Sequence, residues 1–505
     1  MSIALAPEPA DPAPSLAATP LAAMPLVATP LVAAPVVGPP LVGPPLVGAP
    51  DAAPVHPGAA APVARRAGRI AEVAAGVRGV ARARPVAVTG TALVLAGALA
   101  PAAPLRQALD NAPAPGVALV APPAYVALSP FTRVADALCL LSTAQHVALA
   151  VTVLAGVAAW RVARRCPHAS ALRTCARASG ACGASLVALV LVLAAAVFAP
   201  RPMARLVSTD PAWVRVDFHT HTSASHDVPA WFTPERRRAW HAAAGYDVAY
   251  VSDHRNVQGA LAAAGANPAR AGDGLTVLPA MESWWRGVHL VVLGDAARDP
   301  ALLADDQLDR AIPAAMASGR LTSPPVAIAA IPDDLLRALS PAALATAPWL
   351  RGVEVADGAP RAIAQRDREG GALAARAAEA GLVPLAGTNH HGWGRTAVAW
   401  NLVRVPGWQA MTPAQLDTRL EDVLRRGNVA AVRVVTRARP EVAPAGVRRG
   451  LSLAATLPDL VWGTVAELSA AERASWLVWL WAPAAVAAAA GRRARRGMRL
   501  QERER

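Results

Sequence analysis

The sequence predicts an α/β fold, a barrel of parallel strands, attached to membrane-spanning helices, and three observations carry that expectation. Seven short apolar runs of β type lie between residues 214 and 387, and helix-like segments separate several of them. Clusters of histidine and carboxylate follow these runs, and a parallel β/α barrel gathers its active site at the carboxyl ends of its strands. Outside that region lie apolar stretches near the ~20 residues that cross a bilayer. Hydrophobic residues make up 54% of the 505, and that share points to membrane segments as well.

In chain order, residues 1–64 come first. Pro20, Pro25, Pro30, Pro35, Pro40, Pro45 and Pro50 mark a five-residue period there. Proline at that density prevents a helix, so the stretch is expected to be an extended or disordered tail. Glu8 and Asp11, with no basic residue before Arg65, argue against a secretory signal. Residues 65–204 form a membrane region with expected spans at 86–103, 138–160 and 181–199. A fourth span is expected at 476–490, short and interrupted by Pro483.

Basic loops stay in the cytoplasm. Arg65, Arg66, Arg69, Arg78, Arg82 and Arg84 precede the first span, and Arg161, Arg164, Arg165, Arg173 and Arg177 follow the second. Arg492, Arg493, Arg495, Arg496 and Arg499 follow the fourth, in a basic cytoplasmic tail, 492–505. Four spans with both termini inside satisfy all three clusters. They make the chain a multi-pass cell-membrane protein with residues 205–450 on the extracytoplasmic side, although Arg201 and Arg205 oppose this mildly. The segment 451–491 is membrane-proximal and ends in the fourth span; its part 451–468 has no assignment. The net charge of +14 sits largely in these clusters, so lipid headgroups are favoured over nucleic acid as its partner. All four cysteines lie in or beside the membrane segments, which leaves an outward domain no disulfide to form.

Within 205–450 the runs carry the chemistry. The run 214–218 leads into His219 and His221, then His226 and Asp227; 248–252 leads into Asp253 and His254. Leu275 to Leu278 leads to Glu282, 288–293 carries His289, and 383–387 leads into Asn389, His390 and His391; 326–331 and 353–355 complete the seven. Thr233 as N-cap, Pro234 at the first helical position and Gly245 as stop predict a helix between the first two runs. Eight of eleven histidines fall between His219 and His391. Neutral imidazole and carboxylate suit Zn, Mn or Fe, and the lack of cysteine among them excludes a thiolate site.

Taken in order, His219-Thr220-His221-Thr222, Ser252-Asp253-His254, Glu282 followed by His289 to Gly294, and Gly387-Thr388-Asn389-His390-His391-Gly392 resemble the polymerase and histidinol phosphatase (PHP) family of metal-dependent phosphoesterases. The resemblance covers about residues 214–406. It implies a distorted (β/α)7 PHP barrel holding up to three divalent ions. Carried over position by position, the family's ligands fall on His219, His221, Asp227, His254, Glu282, His289 and His391, with His226 an alternative to Asp227. Two positions depart from the pattern. Ile331 stands where the family has a histidine before proline, and Asn389 where it has an aspartate, so Asn389 is a weaker, neutral ligand and fewer than three ions are expected. His390 is a possible compensation.

The implied chemistry is hydrolysis of a phosphate ester by metal-activated water. Asp253 would orient His254 or another ligand, as metal-bound imidazoles require. Arg395 would offer phosphate oxygens a planar fork of donors. The substrate class is a phosphorylated small molecule or polymer. Two alternatives stay open: a degenerate barrel that senses a metal or phospho-ligand, and a nucleotide phosphatase or exonuclease. Bland readings stand beside these: His241 as a packing residue, Arg395 as a salt-bridge partner, and Trp284, Trp285, Trp393 and Trp400 as core rather than base-stacking aromatics.

Overall fold

A computed structural model describes residues 84–164, 170–304, 307–330 and 338–504; the tail 1–64, the arginines before Arg84 and Ile331 lie outside these. The strands in chain order are β1 Leu105–Gln107, β2 Val117–Val120, β3 Arg205–Ser208, β4 Trp213–Thr220, β5 Val248–Val251 and β6 Thr276–Trp285. They continue as β7 Val288–Leu293, β8 Ala327–Ala330, β9 Leu350–Asp357, β10 Val383–Gly387, β11 Ala399–Arg404 and β12 Val432–Arg437. Each of the seven apolar runs overlaps one of the strands β4 to β10. β2 and β3 pair separately, and the others form one ten-stranded sheet in the order β1-β12-β11-β4-β5-β6-β7-β8-β9-β10.

The fold is mixed α/β, not parallel throughout. β4, β5 and β6 run parallel, as do β8, β9 and β10, but β7 is antiparallel to both neighbours. The cause is local. Only Arg286 and Gly287 separate β6 from β7, with φ of 50° and 80°. Two consecutive positive φ values make the tight turn that matches the twist of a hairpin, and no crossover helix fits in two residues. β11, β12 and β1 add three antiparallel strands that the apolar runs did not announce.

The sheet curls, so its last strand returns to β4. Thr220 bridges His390. The Asn401 side chain accepts from the Ala386 N–H at 2.8 Å and donates to the carbonyls of Ala386 (2.7 Å) and Val216 (3.1 Å), joining β10 to β4 through β11. Val216, Phe218, Tyr250, Val291, Ile328 and Leu385 form one buried cluster with Leu416, Leu420 and Leu424 of helix Pro413–Arg425. The helix expected after β4 spans Pro234–Ala244. Thr233 caps it, and Gly245 at φ 85° ends it.

The apolar segments depart from the expected spans in their bounds. Helix Pro85–Leu99 stops short of residue 103, because Pro101 and Pro104 follow. Ser142 and Gln145 form a capping box, so the second helix is Thr143–Ala163, and residues 138 and 139 end a separate helix, Ser129–Cys139. The third is longer, Ala171–Phe198. Among the described residues, Thr143–Ala163 and Ala171–Phe198 are long and apolar enough to cross a membrane, and only 6% of each apolar window is buried. Their outward side chains include Val147, Val151, Val187, Val190 and Leu191. The fourth stretch is part of one helix, Ala470–Glu504, which continues through Pro483. The unassigned 451–468 falls in helices Gly446–Ala454 and Thr456–Ala466.

A buried ionic knot fastens these helices to the sheet. Asp136, on helix Ser129–Cys139, accepts from Arg201 at 2.5 Å and Thr396 at 2.8 Å on one oxygen. Its other oxygen accepts from Arg437 of β12 at 2.5 Å and the Tyr125 hydroxyl at 2.8 Å.

Candidate metal centre

Each candidate ligand comes from the end or edge of a strand. His219 and His221 flank Thr220 at the end of β4, His254 follows β5 and bridges Glu282 of β6, and His289 lies on β7. Asn389 and His391 follow β10. The curl of the sheet brings these positions together. Glu282 Oε2 lies 3.2 Å from His219 Nε2, 3.1 Å from His221 Nε2 and 3.4 Å from His254 Nδ1, while its other oxygen contacts His289 Nδ1. Asp227 Oδ2 is 3.0 Å from His391 Nε2 and 3.3 Å from His254 Nε2. All seven carried-over candidate ligands therefore meet in one connected cluster; Asp227 is ion-paired within it, and the His226 ring lies against that of His254 at 5.1 Å.

Four overlapping triads can hold a metal ion among the described residues: His221, His254 and His391; His219, His221 and Glu282; His254, Glu282 and His289; and His219, Glu354 and Asp357. In each, the candidate ligand atoms lie within 4.8 Å of one another. Hydrogen bonds set the imidazoles for this task. His219 donates from Nδ1 to Glu354 Oε1 at 2.8 Å, leaving the Nε2 lone pair for the centre. His221 Nδ1 donates to the Ser225 hydroxyl at 3.1 Å, which donates onward to Asp253 at 3.1 Å. His391 Nδ1 donates to the Asn389 carbonyl at 2.8 Å. A partner on one nitrogen fixes the tautomer that ligates through the other.

Two orphaned atoms show that the residues fit a cation. Asn389 Oδ1 is buried with no hydrogen-bond donor among the described residues, and Glu282 Oε2 is buried with imidazole nitrogens close by but none in hydrogen-bond alignment. A buried acceptor without a donor costs free energy unless a cation or water meets it. Charges in the cluster answer one another. Burial alone would raise Glu282, yet His219, His221 and His289 hold it well below the usual carboxylate range. For His219, burial is outweighed by Glu282 and Glu354, which raise it well above an ordinary histidine. Burial drives His221 down to about 3 despite Glu282, so it is neutral, the form in which an imidazole can ligate.

Several assigned roles shift. Asp253 does not touch the His254 ring. Its oxygens accept from the Thr222 N–H at 2.6 Å, the Thr222 hydroxyl at 2.7 Å and Ser225, so it shapes the loop after β4 and reaches His221 through Ser225. Arg395 spends its Nε on the Arg201 carbonyl at 3.1 Å, beside the end of a membrane-length helix. His390 cannot compensate for Asn389, because its Nδ1 accepts from Arg237 at 2.8 Å and its ring stacks on Trp240. Asn389 itself donates to Asp357 at 3.0 Å, and this turns its oxygen free. His241 is buried and bonded to Asp217 at 2.8 Å, a packing role. Trp285 and Trp400 are core, whereas Trp284 and Trp393 are over 40% exposed.

The sequence reading missed Glu354, Asp357 and Arg237. Glu354 is the one acid inside the apolar run 353–355, and an acid inside a buried strand is a usable signal of a partner. Arg237 is fully buried and donates to the carbonyls of His221 and His390, so it clamps two ligand loops. Gly387 completes the arrangement. A Cβ there would collide with Glu354 Oε1 and stand 2.7 Å from His219 Cβ. Gly387→Ala is expected to cost about 1–3 kcal/mol by overpacking and to weaken metal retention; thermal unfolding with metal analysis checks both.

No family model and no curated protein matches the chain. Among solved structures, the crystal structure of PsfC from Pseudomonas syringae PB-5123 aligns at 15% identity, covering 43% of this chain and 99% of that one, with a TM-score of 0.28.

Proposed function

We propose that the chain is a membrane-anchored, divalent-metal-dependent phosphoesterase built on a PHP-type barrel. The observation that carries this reading is the orphaned Glu282 oxygen faced by nitrogens of His219, His221 and His254. Zn, Mn or Fe would be held by His219, His221 and Glu282 with the Asn389 oxygen, by His254, Glu282 and His289, and by Asp227 with His254 and His391. With a neutral amide at Asn389, fewer than three ions are the expected complement. Such an ion supplies hydroxide at neutral pH by lowering the pKa of its water to ~7, and it neutralises charge on phosphoryl oxygens.

The protein's own part is preorganisation. Glu354 and Ser225 hold His219 and His221 with Nε2 inward, the Asn389 carbonyl holds His391, and Arg237 keeps the two ligand loops at fixed separation. The substrate's phosphate would meet the exposed edge of the cluster, at Asp227 and His391. A competing reading, a barrel that binds a metal or phospho-ligand without turning it over, draws on the departures at Ile331 and Asn389. Full-length protein in nanodiscs, loaded with Mn or Zn, separates the two. At least one ion per chain with phosphate released from a generic aryl phosphate is expected; less than one ion and no release would overturn the enzyme reading.

For location, the arginine clusters support a multi-pass arrangement with the barrel outside the cytoplasm. A periplasmic-type reporter joined after Ala199 should then be active. An inactive one, with a cytoplasmic-type reporter active at the same junction, reverses the orientation.

A further inference from the structure

The phosphoesterase reading leaves the substrate's body open, and a second cavity wall addresses it. Resting on that reading, we propose that the substrate is a phosphate ester of a membrane lipid, with its phosphate at the metal cluster and its hydrocarbon chain against helix Ala171–Phe198. A single cavity of about 450 Å³ has Asp227, Asn389 and His391 on one wall and Leu138, Leu141, Leu193 and Val197 on another. The candidate ligands and a membrane-length helix thus share one space. The junction is covalently short and hydrogen-bonded: three residues after His391, the Gly394 N–H donates to the Val197 carbonyl at 3.1 Å.

Polar groups lining the cavity away from the cluster are already engaged within the protein. The Thr396 hydroxyl donates to Asp136, the Trp240 indole donates to the Gly394 carbonyl at 3.2 Å, and His146 donates to the Ser142 carbonyl at 3.1 Å. Thr388 donates to Asp217 at 2.5 Å. A nucleoside or sugar would find few donors or acceptors on that wall, whereas a hydrocarbon chain needs none.

The mouth has the character of a membrane interface. Phe198 ends the long helix and meets Trp393 edge-on at 5.3 Å, and Trp393 meets Trp231 at 5.6 Å. These three rings are 62%, 44% and 46% exposed, and Arg236 lies 5.9 Å from the Trp231 ring. Aromatic rings with adjacent arginine collect at the headgroup level of bilayers. A lipid phosphate lying at that depth reaches the cluster while its chain stays in apolar surroundings.

The test uses full-length protein in nanodiscs, with empty nanodiscs subtracted. Binding of radiolabelled butyl- and dodecylphosphonate is measured alongside phosphate release from the matching alkyl phosphates, and from an aryl phosphate. Each methylene taken from water tightens binding roughly fourfold, so at least about 30-fold preference for dodecyl over butyl is expected in both assays. Val197→Phe and, independently, Leu193→Phe should reduce that preference at least tenfold in the same nanodiscs; two variants guard against misfolding of one, and metal content per chain reports folding of each. Dodecyl and butyl compounds within threefold of each other, with the aryl phosphate still hydrolysed, would overturn the lipid substrate and leave the phosphoesterase standing. Chain-length-dependent binding without release from any ester would overturn the phosphoesterase and keep recognition of a lipid phosphate.

Discussion

Glu282→Gln is expected to abolish hydrolysis and lower metal affinity by more than about 100-fold, because partners one step removed from a metal already carry 10–100-fold. The change is isosteric, so packing survives, and it removes the charge that three imidazoles face at 3.1–3.4 Å. The comparison that matters is with Arg404→Ala, an exposed position paired with the start of β4 and away from the cluster, which should retain metal and turnover. Metal analysis after dialysis, followed by initial rates at fixed Mn, reads both. If Glu282→Gln kept its ions and its rate, the assignment of Glu282 as the shared ligand would fall.

Asp136→Ala carries the largest expected effect on stability. Its loss strands the guanidiniums of Arg201 and Arg437 in a buried site, at a cost of about 3–5 kcal/mol. Burial alone would lift Asp136, but Arg437 and Arg201 outweigh it and hold the carboxyl at about 2, below its ordinary 3.8. A depressed folded-state pKa contributes stability that is present above the unfolded value and is lost as pH falls through about 2. The wild type should therefore lose stability on acidification toward that value, and the variant should lack this dependence. Unfolding of the detergent-solubilised protein across pH measures both. A shift under about 1 kcal/mol would show that the knot does not fasten the helices to the sheet.

Local signals were legible where the chain's own spacing carried them. The alternating Val214, Val216 and Phe218 and the run 383–387 became strands, and Thr233, Pro234 and Gly245 bounded a helix, because strand and cap preferences act over a few residues. β11 and β12 were less legible. Asn401, Arg433 and Thr436 interrupt their apolar character, and their pairing partners are remote in sequence. The direction of β7 was written in Arg286-Gly287, a hairpin signal between Trp285 and Val288 that was passed over for the repeating β/α pattern.

For the site, histidines and acids beside strand ends marked a candidate cluster, the family resemblance picked out His219, His221, Asp227, His254, Glu282, His289 and His391 within it, and the structure brings these side chains together. What those residues do to one another required the curled sheet. Glu354 lies 135 residues from His219 and reaches it only because β10 intervenes with Gly387, which has no side chain. Asp253 was expected to orient His254 or another candidate ligand, and the ring it reaches is that of His221, through Ser225. Arg395, expected on phosphate, gives its Nε to the Arg201 carbonyl, a contact its sequence position does not announce. The sequence by itself determined the apolar runs, the helix caps, the membrane-length stretches and the chemical types of the ligands, since each depends on neighbours a few residues away. Only the tertiary structure decided which nitrogen of each imidazole faces inward, that Asp136 is locked between two arginines, and that the ligand loop abuts a membrane-length helix. Those are contacts between distant segments, and no local preference encodes them.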